Sequence, residues 1–268
     1  MLEVNAVADE HMVAPFDPWD PLEPGGEDPG IFIAAQRREI NNILKSYTGY
    51  FDIFSEMIQN SLDAVERRAS EYFELDSAPK LWIKIDMDHN SISVTDNGCG
   101  MEVQEFKQFL RPNFSFKEGA ESRGSKGVGA TYLAYGFNNL EVGTKINAKV
   151  LSGTLKRGRD WVEDRTGTIS RPKVEHSDVS HKPFKGVDSG TSMTVRLVGQ
   201  NIRPKDLAWL GATTAAQWLT ILRVVTPLGG IYLLNEKPLE IEVELELVLY
   251  QKVDTATLCH LVISTPIR

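Results

Sequence analysis

Glu56, Asn60 and Asp63 stand at offsets of four and seven, which return to one side of a 3.6-residue helix. They belong to Glu56-Met-Ile-Gln-Asn60-Ser-Leu-Asp63-Ala64, and Phe54, Ile58 and Leu62 line the opposite side, as a core requires. A carboxylate, an amide and a second carboxylate on one stripe have the chemistry to hold a metal and polarise a water. The next segment of the chain narrows the fold. Leu81-Trp-Ile-Lys-Ile-Asp-Met and Ser91-Ile-Ser-Val-Thr both alternate, predicting neighbouring strands joined through Asp88-His89-Asn90. The second strand runs directly into Asp96-Asn97-Gly98-Cys99-Gly100, an acidic turn spaced by glycines. That order is the layout of a nucleotide site.

A chain of 268 residues can bury a full core, and 41% apolar with 25% charged residues is ordinary for a soluble globular protein. No apolar run approaches the roughly 20 residues of a membrane-spanning helix. The start, with Glu3, Asp9 and Glu10, lacks the basic and apolar regions of a secretory signal. Two cysteines, Cys99 and Cys259, make no disulfide framework, so a cytoplasmic setting is expected. The net charge of −8 comes from residues 1–30, which hold eight acids, five prolines and no Lys or Arg. That stretch reads as an acidic, Pro-rich arm: a solvated leader, or an arm that docks on a second subunit. Outside it 29 acids face 29 bases, so the body gives no electrostatic case for nucleic acid.

Helices are expected from Ile31 to Ser46 and from about Phe51 to Phe73, with a short one near Val103 to Leu110. A loop over a site should occupy about 102–123. A strand is expected at Ser192-Met-Thr-Val-Arg-Leu-Val and a long helix from about Pro204 to Val225. Residues 241–264 are β-like, and no internal repeat is present.

Two glycine-spaced stretches each admit more than one reading. Gly124-Ser-Lys-Gly127-Val-Gly129 precedes a helix running through Ala134-Tyr135. It is one residue off a Walker A loop, because Lys would have to occupy position 125, and no Gly three residues after Gly129 completes a dinucleotide fingerprint. Glycines just before a helix do present backbone N–H groups and a positive dipole end to an anion. Asp96-Asn97-Gly98, taken alone, is equally a tight turn. Its spacing excludes a calcium loop.

Taken together and in order, these elements resemble the GHKL ATPase superfamily: DNA gyrase B subunits, large heat-shock chaperones, sensor histidine kinases, MutL and MORC proteins. Glu56, Asn60, Asp63 and Ala64 meet the first motif, Glu-x-x-x-Asn-x-x-Asp-Ala. Asp96, Gly98, Gly100 and Met101 meet the second. Gly124, Gly127 and Gly129 meet the third, and Gly190-Thr191, opening a strand, the fourth. The resemblance spans about residues 35 to 235. It implies a two-layer α/β sandwich, the Bergerat ATP-binding fold, with a mixed or antiparallel sheet and helices on one face. ATP and Mg²⁺ are the implied cofactors. Glu56 would be the general base, Asn60 the Mg²⁺ ligand, and Asp63 a support for the helix and its solvent. Asp96 would receive the adenine amine with Thr191 assisting, beside Gly98, Gly100 and Met101. Gly127, Val128 and Gly129 would cradle phosphates, flanked by Gly124, Ser125 and Ala130, and Lys117 or Lys126 would reach a phosphate.

The resemblance divides the chain into the arm at 1–30, an ATP-binding domain at 31–238 with its lid at 102–126, and the start of a transducer-like domain at 239–268. Phe114-Ser115-Phe116-Lys117 looks closer to MORC and chaperone members than to kinases, and none of the five histidines sits in a convincing phosphoacceptor helix. Hydrolysing members draw a Lys or Arg from a second domain, so this is expected to be an N-terminal ATPase fragment of a longer protein, turning over slowly. The expected function is an ATP-driven clamp that closes its lid and homodimerises, serving further C-terminal domains or partner proteins. The alternatives are a non-hydrolysing ATP sensor and a kinase-type phosphotransferase.

Overall fold

The structure, a computed structural model, describes residues 29–71, 77–112, 127–177, 184, 186–230 and 237–265. Six α-helices among them are α1 (Pro29–Ser46), α2 (Asp52–Glu71), α3 (Val103–Gln108), α4 (Val128–Tyr135), α5 (Gly158–Glu163) and α6 (Ala215–Val225). The strands are β1 (Lys80–Asp86), β2 (Ser91–Asp96), β3 (Asn139–Ile146), β4 (Lys149–Lys156), β5 (Val174–Glu175), β6 (Ser189–Arg196), β7 (Lys237–Leu249) and β8 (Lys252–Thr265). They form one sheet in the order β5-β4-β3-β6-β2-β1-β7-β8. Every pair is antiparallel except β1 with β7, so the sheet is mixed.

The alternation along each strand sorts the two faces. Leu81, Ile83 and Ile85 of β1, Ile92 and Val94 of β2, and Val243, Leu245 and Leu247 of β7 are all at most 2% exposed. Against them pack Ile53, Phe54, Met57, Ile58, Leu62 and Val65 of α2, together with Trp218 and Leu222 of α6, in a single apolar cluster. The opposite face is polar: Lys80 bonds Glu242 and Glu244 at 2.8 and 3.0 Å, and Lys84 bonds Glu246 at 2.7 Å. Half-exposed pairs of this kind contribute roughly 0–1 kcal/mol each, so burial on the helix face holds the layers together. α2 starts where Asp52 accepts the Gly49 N–H at 2.6 Å. Its apolar stripe fixes its roll on the sheet, and with it the direction of Glu56, Asn60 and Asp63.

The expected helix from Pro204 to Val225 is broken in two. A 3-10 turn at Leu207–Leu210 ends at Gly211, whose φ of 70° no helix accommodates. α6 then starts afresh from a capping box, in which Thr214 accepts the Gln217 N–H and Gln217 reaches back. The β3–β4 hairpin has Asn147 at φ 54° in its turn. Residues 1–28 and the Ile231-Tyr-Leu-Leu stretch lie outside the described residues.

β7 shares the sheet's one core, so Leu245→Ala should cost about 2–5 kcal/mol. Chemical unfolding should show this as a lower midpoint of a single transition, not as a separate early phase.

Candidate functional site

Asp96 ends β2 and is 2% exposed. Its Oδ1 accepts the Gly98 N–H at 2.9 Å and the Thr191 N–H at 3.1 Å, and the Ser61 hydroxyl of α2 donates to it as well. One carboxylate thus ties β2, the first turn of β6 and α2 together. Burial raises its pKa to about 7, against the pull of those three donors and the nearby Arg67 guanidinium. A carboxylate offers about four acceptor positions, so three donors leave room for one more.

The glycines around Asp96 are imposed by contact. A Cβ at Gly98 would lie 2.6–2.8 Å from the backbone and Cβ of Ala64, where Cys99 N–H also reaches the Ala64 carbonyl at 3.3 Å. A Cβ at Gly190 would meet the Asp96 carbonyl oxygen at 2.0 Å. A Cβ at Gly100, itself at φ 69°, would press on the Lys145 carbonyl. Asn97 is a structural residue: its Oδ1 accepts the Lys80 N–H at 2.7 Å and its Nδ2 donates to the Ala78 carbonyl at 2.7 Å. Met101 donates its N–H to the Thr144 hydroxyl at 2.8 Å, and Thr144 donates in turn to the Gly190 carbonyl at 3.1 Å.

At the other end of the stripe, Glu56 points to α4. The Tyr47 hydroxyl donates to its Oε1 at 2.9 Å, and a Cβ on Gly129 would come 1.9 Å from its Oε2. Glycine at 129 is what lets the carboxylate rest against the first turn of α4, whose N-terminal residue Gly127 has φ 62°. Asn60, one turn on, is half-buried and its amide has no hydrogen-bond partner among the described residues. Asp63 accepts from Gln59 Nε2 at 2.6 Å and is 9% exposed.

The structure sets Glu56 against Gly129 at the start of α4 and Asp96 beside Gly98, Thr191 and Ser61 of α2, with Asn60 and Asp63 following Glu56 on α2 and with Gly100 and Met101 against β3; Gly127, Val128 and Ala130 flank Gly129 in the chain. Lys117, Gly124, Ser125 and Lys126 lie outside the described residues, as does Phe114-Ser115-Phe116. Four contributors were not singled out from sequence. Ser61 is hidden beside Asn60, and Thr144 sits mid-strand in β3. Arg67 was legible, because it continues the stripe eleven residues after Glu56; its guanidinium donates to the Cys99 sulfur and the Gly100 carbonyl. Tyr47 carries no periodic signal at all.

Residues 48–191, more than half of the chain, match the sequence model of a family described as histidine kinase-, DNA gyrase B-, and HSP90-like ATPase. The chain belongs to that family. No curated protein matches it as a relative. No helix among the described residues is long and apolar enough to cross a membrane.

ATP, usually with Mg²⁺, is what domains of this ATPase family bind, and the residues present fit both. Asp96 keeps an acceptor position for an amine, and Gly129 leaves at the first turn of α4 the space that the Glu56 carboxylate enters. Among the described residues no three His, Cys, Asp or Glu cluster to make a metal cage. A Mg²⁺ held by the side-chain oxygen of Asn60 together with phosphates and water would need no such cage.

This geometry has two measurable consequences. Gly98→Ala drives a methyl into Ala64 and should lower stability by about 1–3 kcal/mol in thermal or urea unfolding. The folded pKa of Asp96 is raised, to about 7, so protonation favours the fold. The stability this gives is complete below the ordinary carboxylate range and is lost as pH rises through 7. Asp96→Asn, which keeps Oδ1 as acceptor, should unfold at a higher temperature than the native chain at pH 8 and show a flatter profile between pH 4 and 8.

Proposed function

We propose that this domain binds Mg-ATP in the cleft between α2 and α4 and hydrolyses it slowly. The observation that carries the reading is Glu56: its carboxylate rests against Gly129 at the opening of α4, with Asn60 one turn further along the same helix face. A carboxylate beside a phosphate cradle is placed to take the proton of an attacking water. Asn60 would hold Mg²⁺, which supplies charge neutralisation to the phosphates. Asp63, fixed by Gln59, would keep the solvent around Asn60 ordered. Asp96 would accept the adenine amine at its remaining position, and Thr191, whose N–H is already committed to Asp96, would assist through its hydroxyl. Gly98, Gly100 and Met101 would shape the wall against the base. Val128 and Gly129 amides would cradle phosphates, with Gly127, Ala130, Gly124 and Ser125 around them, and Lys117 or Lys126 would reach a phosphate from the lid.

Binding there would close the lid, about residues 102–126, and favour a homodimer, making the domain the ATP-driven clamp of a larger assembly. The acidic stretch before residue 31 is suited to crossing between protomers.

The test is ATP affinity and turnover of the chain beside Glu56→Ala and Asp96→Asn. Glu56→Ala should keep ATP affinity and lose at least about 100-fold in kcat, the scale of general-base removal. Asp96→Asn sets an amide N–H against the adenine amine and should weaken ATP about tenfold or more, the cost of a lost charge-assisted hydrogen bond. Tight ATP binding with no turnover in any of the three would leave a nucleotide sensor; no binding would remove the reading altogether.

A further inference from the structure

We propose that Tyr47 is a positioning residue for Glu56, holding one carboxylate oxygen so that the other faces the opening of α4. The proposal rests on the ATPase reading above and names a residue that none of the four motifs contains.

Four observations converge on it. The Tyr47 hydroxyl donates to Glu56 Oε1 at 2.9 Å, while Oε2 is the oxygen packed on Gly129. The Tyr47 ring lies flat on Tyr132 of α4, with centroids 4.0 Å apart and planes 6° from parallel. Tyr132 is itself 5% exposed and set edge-on against Phe137 at 5.6 Å, so the platform under Tyr47 is fixed by the core. The Tyr47 backbone is fixed too, its N–H donating to the Leu44 carbonyl at 3.2 Å as α1 ends. The hydroxyl therefore has a defined position relative to both α2 and α4.

Its chemistry suits the role. Burial, and then the charge of Glu56, push the Tyr47 phenol well above its usual range, so it stays a donor at any working pH. A glutamate on a helix surface turns about three torsions, and confining such a chain costs rotamer entropy. A donor already fixed in space reduces that cost before substrate arrives. It also selects which oxygen meets the phosphate end of the cleft. Preorganisation of this kind appears in the rate of the chemical step and not in substrate affinity.

Alternatively, Tyr47 only stacks, joining α1 to α4. Tyr47→Phe separates the two roles, because it keeps the ring and removes the hydroxyl. The experiment measures kcat and KM for Mg-ATP, ATP affinity and thermal melting for the chain, Tyr47→Phe, Tyr47→Ala, Glu56→Ala and the Tyr47→Phe/Glu56→Ala double variant. Positioning predicts that Tyr47→Phe lowers kcat about tenfold or more, with KM and affinity within about twofold. Its melting temperature should match the native chain, whereas Tyr47→Ala should also melt lower. In the double variant the Tyr47→Phe change should add no further loss, because the base it orients is gone. Native turnover by Tyr47→Phe, or an equal loss on top of Glu56→Ala, would overturn the proposal. If the native chain turns over no faster than Glu56→Ala, the ATPase reading fails and Tyr47 positioning falls with it. That result is distinct from an active chain indifferent to loss of the Tyr47 hydroxyl.

Discussion

A buried carboxylate organises this domain. Asp96 is almost without solvent, and an uncompensated charge there would be costly. It is compensated by donors from three separate elements: Gly98 just past its own strand, Thr191 at the start of β6, and Ser61 in the middle of α2. Each donor must come within hydrogen-bond reach, so helix, turn and neighbouring strand are drawn to one point. The glycines follow from that convergence. Gly190 must pass the Asp96 carbonyl and Gly98 must pass Ala64, and neither approach leaves space for a methyl group.

The same convergence orients α2. α2 is held on the sheet by its apolar stripe, and Ser61 and Ala64 pin its middle to the end of β2. Its polar stripe is then left facing α4, where Gly129 admits the Glu56 carboxylate and Tyr47 bonds it from the end of α1. Structural and chemical duties are interleaved residue by residue. Asn97 anchors β1 through Lys80 and Ala78, while Asp96 beside it retains an acceptor position. Thr144 does purely supporting work between Met101 and Gly190.

Much of this was legible in the chain. The period-3.6 stripe marked α2 and its polar face, alternation marked β1 and β2, and the glycine spacings set Gly98, Gly100, Gly127 and Gly129 apart. What pattern cannot show is what a side chain meets across the fold. Tyr47 lies nine residues before Glu56, outside the helix that carries it, and their contact is made across the turn between α1 and α2. Ser61 and Thr144 are small hydroxyl residues whose importance comes from a distant carboxylate or carbonyl. The helix expected from Pro204 to Val225 failed on local chemistry that was present: Gly211 as a left-handed stop, and Thr214 with Gln217 as a new start.

The region between the end of β2, the start of β6, α2 and the start of α4 is the proposed seat of ATP. Amide hydrogen exchange of the chain with and without Mg-ATP measures this directly. The predicted result is slower exchange concentrated at residues 96–101, 127–131 and 189–192, the backbone that would meet base and phosphates. Protection confined to other parts of the sheet, or no change at saturating Mg-ATP, would contradict it.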